Sequence, residues 1–332
     1  MHDNGVVITG YGTISPDSSN IPKESPPGNE ILVRYVNDDA LLDIPRRTMK
    51  KIDRFTALSI LAINKVRDMA NLGESSYDSE DIGLFVGNIF AGWGYVDQFM
   101  ENLYTSNELK LKALNPYIAT AWFPTAAQGE VSIIHKYLGY SKTFSAGILS
   151  SGFALLHGYQ QLLSKKLKAA ITGGSEAVKS SIIAPHLNDY KNLVPYQEMG
   201  EGAAYLSLEN ESNAIKRNAN IYSRILAVTS GADYLYTVRE CLNKAGVDKI
   251  DGIMINNTEV SDSILELCSG LPGNKIPPKQ LKMPKMNLLG GNCAYTIVNV
   301  IEYYKKSDRN LSNILITFDS GTGRNLCVIL SI

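Results

Sequence analysis

The chain has 332 residues, a formal net charge of −1 and 20% charged residues. Its length allows one large core or the cores of two fused halves, and its balanced charge argues against electrostatic binding of nucleic acid. It contains no run of about 18 apolar residues and begins with a strand-like stretch, so we expect no membrane span, no signal peptide and a cytoplasmic location.

Cysteine and histidine usage limits the possible chemistry. No two cysteines form a Cys-x-x-Cys pair, which predicts free thiols and neither a metal site nor a redox motif, and we expect no cofactor. The cysteines are Cys241, Cys268, Cys293 and Cys327. No histidine follows residue 186, so a mechanism that needs an imidazole from the C-terminal half is excluded. The histidines are His2, His135, His157 and His186.

The first part of the chain alternates strands and helices. A β-branched run from Val6 predicts a buried strand, and residues 16–30, rich in Pro, Ser, Asn and Gly, predict an exposed loop. A helix is expected over 49–72, because its apolar residues share one face; these are Ile52, Phe55, Leu58, Ala62 and Val66. We next expect a strand that ends at Gly87, a helix that begins at Trp93, and a helix over 126–141 that is closed by Gly139.

Residues 147–152 read Gly-Ile-Leu-Ser-Ser-Gly and predict a tight turn that opens a helix. Many enzymes place a nucleophile at such a turn. The helix is expected over 152–167, with its inner side formed by Phe153, Leu156, Tyr159, Leu163 and Leu167. The run "KAAITGG" after it predicts an interior strand that ends in glycines.

The second part of the chain repeats this alternation of strands and helices. Strands are expected over 200–210, 221–231 and 251–255, helices over 233–246 and 290–306, and two final strands joined by a glycine turn. Strands that are apolar along their whole length must be covered on both faces. The sequence therefore predicts a layered α/β protein, with two related halves, 1–180 and 181–332, in a single compact unit.

Several motifs in this order resemble those of the β-ketoacyl synthase family. They are the opening "VVITGYGTISP", the basic segment "MKKIDRF", the aromatic stretch "LNPYIATAWFPTAAQGEVS", the strand end "GGSEA", the strand entry "MGEGAAYLSLEN" and the late turn "SGTGRN". The resemblance covers nearly the whole chain, although no single motif is specific. It implies the thiolase fold, a layered α-β-α-β-α arrangement.

The resemblance also implies a catalytic set that this chain lacks. Family members carry a cysteine in a Cys-x-Ser-Gly turn, where a helix N-terminus stabilises the thiolate, and the matching position here is Leu149. Their two histidine motifs correspond to stretches where Asn257 and Asn292 lie nearest the histidines. The turn Gly321–Gly323 lacks the usual gating phenylalanine. Together these departures imply that chain elongation cannot run in the family's way.

The favoured hypothesis is a catalytically inactive subunit, like the chain-length factor of type II polyketide synthases. Such a subunit pairs with an active ketosynthase as a heterodimer, meets acyl carrier protein through the complex, and sets polyketide or aryl polyene length by shaping the acyl tunnel. The family's interface segment corresponds to 114–129, with Tyr117, Ile118, Trp122 and Phe123. Trp122 and Phe123 are expected nearest the tunnel end, unless they are ordinary core or interface aromatics.

The sequence leaves two alternatives open. A serine-dependent acyltransferase or hydrolase would use Ser150 or Ser151 as nucleophile with backbone N–H groups as an oxyanion hole, but a serine needs a base. The turn also fails the Gly-x-Ser-x-Gly pattern, because Gly147 and Gly152 are five positions apart. The other alternative is a structural homologue that forms only homodimers.

Overall fold

The computed structural model describes residues 5–16, 32–73, 76–105, 115–190, 198–257, 259–306 and 312–332. The loop expected at residues 16–30 lies outside the described residues except for Pro16. The described part contains no helix long and apolar enough to cross a membrane.

The described residues form strands along the whole chain, and we give them in two groups, up to Asn210 and after it. The earlier strands are β1 Val6–Ile14, β2 Leu32–Arg34, β3 Ile82–Gly87, β4 Lys142–Phe144, β5 Ala169–Glu176, β6 Glu198–Gly200 and β7 Gly202–Asn210. The later strands are β8 Ser223–Gly231, β9 Gly252–Ile255, β10 Lys279–Gln280, β11 Met286–Asn287, β12 Asn313–Asp319 and β13 Asn325–Ser331. The strands expected from the sequence are confirmed.

The helices alternate with these strands. They are α1 Arg46–Met49, α2 Arg54–Ala70, α3 Trp93–Thr105, α4 Ile118–Ala121, α5 Ala126–His135, α6 Ser150–Leu163, α7 Glu211–Lys216, α8 Tyr234–Ala245, α9 Ser261–Ser269 and α10 Asn292–Lys305. The five residues expected on one face are all buried, although Ile52 precedes α2 and only the other four lie within it. Asp53 caps the N-terminus of this helix, because its carboxylate accepts a hydrogen bond from the Phe55 N–H, and Asn71 caps the C-terminus in the left-handed conformation.

The strand pairing of the described residues repeats one topology twice. The main sheet runs β10-β9-β12-β13-β8-β1-β7-β5-β3-β4 and consists of two half-sheets of five strands, joined where β1 pairs with β8. The five strands of each half-sheet are counted here in chain order. In both half-sheets the first strand pairs antiparallel with the fifth, the fifth pairs antiparallel with the fourth, and the remaining pairs are parallel. This repetition confirms the expectation of two related halves.

Three hydrophobic cores establish the layers. One core packs α2 and α5 on the outer face of the first half-sheet. A second lies between the half-sheets and contains the buried faces of α6 and α10. The third packs α8 and α9 on the outer face of the second half-sheet. The expected α-β-α-β-α layering is therefore confirmed.

The position of β7 bears on the division of the chain. This strand follows residue 180, yet it lies in the first half-sheet between β1 and β5. The strand pairing thus changes from one half-sheet to the other between Asn210 and Ser223. The halves 1–180 and 181–332 stay a prediction as domains, and we propose the later division on the basis of this pairing.

Two helix predictions differ from the structure. The helix expected to close at Gly139 ends at His135, because Lys136 adopts φ 57° and the Gly139 N–H bonds back to Ile82 O. The inner side expected for α6 is also partly wrong. Leu163 is 38% exposed and Leu167 lies beyond the helix end, whereas Leu155 and Leu162 are buried. A helix packed between two sheets is apolar on most sides, so its periodicity does not identify one inner face.

Candidate functional site

The turn before α6 is held together by the first of its two serines. Ser150 Oγ accepts a hydrogen bond from the Ala146 N–H (2.9 Å) and donates to Gly147 O (2.6 Å). Gly147 has φ +58°, a conformation that favours glycine. Gly87, at the end of β3, packs against the turn, since a Cβ there would lie 2.4 Å from Ser151 N.

Leu149 is the residue that precedes the first turn of α6. It is 1% exposed and belongs to the core between the half-sheets. No side chain caps the helix at this position. A leucine side chain offers neither a nucleophile nor a titratable proton, and its burial shows that this position contributes packing.

The second serine joins the N-termini of two helices. Ser151 Oγ accepts hydrogen bonds from the backbone N–H groups of Cys293 (3.1 Å) and Ala294 (3.3 Å), both in the first turn of α10. Ser150 and Ser151 are both fully buried. Ser151 therefore satisfies two N–H groups that a helix start leaves without an intrahelical partner.

Replacing Ser151 with alanine should lower the free energy of unfolding by about 1–2 kcal/mol, because two buried N–H groups lose their acceptor. Chemical denaturation of the full chain measures this loss. The matched control is Ser164→Ala at the exposed end of the same helix, where the change should be below about 0.5 kcal/mol. Equal losses in the two variants would contradict the capping role.

Cys293 lies against this turn, although the sequence did not mark it as a site residue. Its Sγ donates to Ile148 O at 3.5 Å, and a Cβ on Gly152 would lie 3.0 Å from that sulfur. Burial raises the pKa of the Cys293 thiol to about 12, so the group is a neutral thiol at neutral pH and is not activated as a nucleophile.

Glu176, at the end of β5, links the parts of the site. Its fully buried carboxyl accepts hydrogen bonds from the N–H groups of Ile89 (2.7 Å) and Phe90 (2.9 Å), and further ones from Ala91 and Gly290. Burial raises its pKa to about 8, against the opposing effect of these N–H donors. One side chain thus ties the loop after β3 to the turn before α10.

The turn before α10 is tightly packed at both of its glycines. A Cβ on Gly290 would lie 2.7 Å from Asn88 Cα and from Glu176 Oε2, and one on Gly291 would lie 2.9 Å from Gly174 O. Asn292 follows as the first residue of α10 and is 1% exposed. The turn has no room for an imidazole at either glycine unless its neighbours move.

Asn257 belongs to a separate set of contacts at the ends of β9 and β12. Its Nδ2 donates to an Asp319 carboxylate oxygen, and its Oδ1 accepts from the Glu259 N–H at 2.9 Å. The neighbouring Asn256 Oδ1 accepts from the Asp319 N–H at 2.8 Å. The Ser151 cap brings together the segments that contain Leu149 and Asn292, but no described hydrogen bond links Asn257 to either residue.

The glycine turn after β12 is exposed. Gly321 and Gly323 have φ +70° and +80°, and Ser320 Oγ accepts from the N–H groups of Thr322 and Arg324 (both 3.1 Å).

The described residues contain no group of three His, Cys, Asp or Glu side chains placed to hold a metal ion.

Three of the predicted interface residues belong to an exposed aromatic surface, which consists of Trp93, Tyr117, Trp122 and Phe123. The Trp122 ring centroid lies 5.5 Å from that of Trp93 and 4.7 Å from that of Phe123. Trp93, Tyr117 and Phe123 are 39%, 38% and 45% exposed, and Ile118 is half-buried. Residue 114 of the predicted segment lies outside the described residues.

A pocket of about 230 Å³ adjoins this aromatic surface. Phe123 and Ile133 line it together with Lys51 and Gly129. Ile133 and Leu138 are 74% and 70% exposed in and after α5. An exposed apolar region with a pocket of this kind is typical of a protein–protein interface.

Comparison with known proteins identifies what the chain resembles. The family model described as "Beta-ketoacyl synthase, N-terminal domain" matches residues 28–194. The tetracenomycin polyketide synthase ketoacyl synthase beta subunit of Streptomyces glaucescens is 24% identical over 264 residues. That alignment covers 69% of this chain and 64% of the relative, so the chain spans less than two thirds of that subunit's length.

Solved structures with the same fold cover the chain almost completely. A type II PKS acyl-carrier protein in complex with its ketosynthase contains a chain with TM-score 0.81 and 23% identity, with 99% of both chains covered. The ishigamide ketosynthase/chain length factor gives TM-score 0.78 and 16% identity, again over 99% of both chains. These likenesses confirm the thiolase-like ketosynthase fold.

Proposed function

The chain belongs to the β-ketoacyl synthase family, and from this membership we propose that it is a non-catalytic, chain-length-factor-like subunit of a type II polyketide synthase. In this role it pairs with an active ketosynthase and shapes the acyl tunnel that sets the length of a polyketide or aryl polyene. The related ketoacyl synthase beta subunit and the ketosynthase/chain length factor structure support the proposal.

The observation that carries the proposal is the packing of the nucleophile turn. Leu149 is buried in the core at the position that the family's Cys-x-Ser-Gly register assigns to the thiol. The position that the register assigns to the second imidazole holds Asn292, which is 1% exposed in the first turn of α10. At Leu149 and Asn292 the chain supplies neither the thiol nor the imidazole of the family's catalytic set, and the proposal therefore assigns its action to shape and surface.

The serine alternative finds less support. Ser150 and Ser151 are buried and bonded to backbone groups. His157, the imidazole nearest in sequence, places Nδ1 3.0 Å from Phe153 O, and its ring lies 4.5 Å from that of Phe144. A serine nucleophile would need a base in contact with its hydroxyl, and the described contacts provide none.

Co-expression with an intact ketosynthase of the same biosynthetic system tests the proposal. We expect the two chains to co-purify, and the ketosynthase to be poorly soluble or inactive when expressed alone. A lone ketosynthase that is stable and active would contradict the subunit role. A stable homodimer of this chain that never binds the ketosynthase would favour the structural-homologue alternative.

Replacing Trp122 with alanine should lengthen the product by at least one extension unit if this side chain limits the tunnel. Removing the indole opens space that a growing chain can enter, since packed interiors exclude any additional atoms. Mass spectrometry of carrier-protein-bound products measures the length, with Tyr236→Ala on the exposed side of α8 as the control. An unchanged product would reject Trp122 as a length determinant.

A further inference from the structure

A cavity of about 410 Å³ lies between the β10 segment and α10, at the outer edge of the second half-sheet. Its volume falls in the range of roughly 300–1,000 Å³ that is common for small-molecule sites. The apolar part of its wall comes from Met254, Leu281, Pro284 and Val300. Met254 and Val300 are buried, so the cavity reaches the core between the half-sheets.

The cavity has a positively charged opening. Lys279 and Lys282 line it, and both are exposed. Lys279 Nζ donates to Tyr303 OH at 2.9 Å and lies 5.5 Å from the centroid of that ring. Neither lysine forms an ion pair with a described carboxylate. The charge at this opening is therefore not neutralised within the described part of the chain.

The remaining polar groups at the cavity are hydrogen-bonded and uncharged. Asn299 Nδ2 donates to Tyr295 O at 2.8 Å, and Gln280 Nε2 donates to Ser261 Oγ at 3.2 Å. Residues 274–285 contain no aspartate or glutamate. Glu302, on the same helix, bonds to Tyr11 OH and does not line the cavity. Among the residues that the structure describes, no acidic side chain lines the cavity.

We propose that this cavity binds an anionic amphiphile, an aliphatic chain that ends in a carboxylate. The apolar wall would bury the chain, and the two lysines would hold the carboxylate at the opening, since charge-assisted hydrogen bonds are stronger than neutral ones. The cavity lies apart from Leu149, the aromatic surface and the turn before α10. The inference does not depend on the proposed function.

Titration calorimetry of the full chain with sodium octanoate tests this proposal. We expect saturable binding of one octanoate per chain, with markedly weaker binding of butyrate, because a shorter chain buries less apolar surface. Octylammonium, which has the same chain and the opposite charge, should also bind more weakly. Equal binding of octanoate and octylammonium would overturn the proposal, as would the absence of saturable octanoate binding.

Charge variants locate the site. Lys282→Glu should weaken octanoate binding by about fivefold or more, because it replaces attraction at the opening with repulsion. The matched control is Lys275→Glu, which makes the same charge change at an exposed lysine that does not line the cavity. Equal weakening in both variants would show a non-specific charge effect and overturn the assignment. Binding of a hexaglutamate peptide without octanoate binding would indicate a protein-docking surface and would also overturn it.

Discussion

Replacing Phe123 with aspartate should abolish co-purification of the chain with the ketosynthase that we propose as its partner. The ring is 45% exposed, lines the pocket beside α5 and contacts Trp122. If the aromatic surface is the interface, the variant loses a buried aromatic contact and places an unpaired carboxylate in an apolar contact region. We expect the dissociation constant to rise about 100-fold or more, which corresponds to about 3 kcal/mol.

A matched exposed tyrosine provides the control for this variant. Tyr236 is 66% exposed in α8, on the outer layer of the other half-sheet, so Tyr236→Asp should leave association unchanged. Pull-down and a binding titration with the purified ketosynthase measure both variants, and thermal unfolding checks that each one is folded. Unchanged affinity in Phe123→Asp would reject the aromatic surface as the interface.

Replacing Glu176 with alanine should lower the free energy of unfolding by about 3–5 kcal/mol. The substitution removes the acceptor of the Ile89 and Phe90 N–H groups and leaves these buried donors unpaired. It also leaves a void against the Gly290 turn, where Glu176 Oε2 packs. Glu176→Gln fills the void and keeps one acceptor oxygen, so its loss should be smaller than that of the alanine variant.

The pH dependence of stability provides a second test of Glu176. Its pKa in the folded chain is about 8, above the ordinary value of 4.5. Between these values the folded chain holds a proton that the unfolded chain has released. The contribution of this group to stability is therefore fully present below about pH 4.5 and is lost as the pH rises towards about 8, by about 1.4 kcal/mol per unit.

Denaturation of the wild type and Glu176→Gln across that pH range measures the effect. The wild type should lose more stability than the variant as the pH rises, because glutamine does not titrate. Asp53, whose pKa burial raises to about 7, contributes to both proteins and cancels in the difference. Parallel pH profiles would contradict a protonated, buried Glu176.

Local patterns were sufficient to predict most of the fold. The β-branched run at Val6–Val7–Ile8 and the alternation of apolar strands with amphipathic helices predicted the elements and their layering, because each strand buried on both faces must be apolar throughout. The same alternation of strands and helices in the second part of the chain predicted the two related halves. The end of α5 was wrong because the contact between Gly139 and Ile82 O depends on tertiary pairing.

The site was harder to predict, because its contacts join residues far apart in the sequence. Leu149 and Asn292 were placed by motif register, and the structure shows that the segments around them meet. The capping of α10 by Ser151 joins residues 142 positions apart, and the position of Cys293 beside the turn depends on that contact. The sequence offered one indication that Cys293 lies near the site. Its stretch "GGNCA" had been matched to a histidine motif of the family, which placed the neighbouring residues at the site.

Elongation by the purified chain is the measurement that tests the central claim most directly. An acyl thioester and malonyl carrier protein would be supplied to the chain alone, to the proposed ketosynthase partner alone and to the complex, and the products would be identified by mass spectrometry. We predict no two-carbon extension by the chain alone and full extension by the complex. Extension by this chain without a partner would contradict a subunit that acts only through its shape.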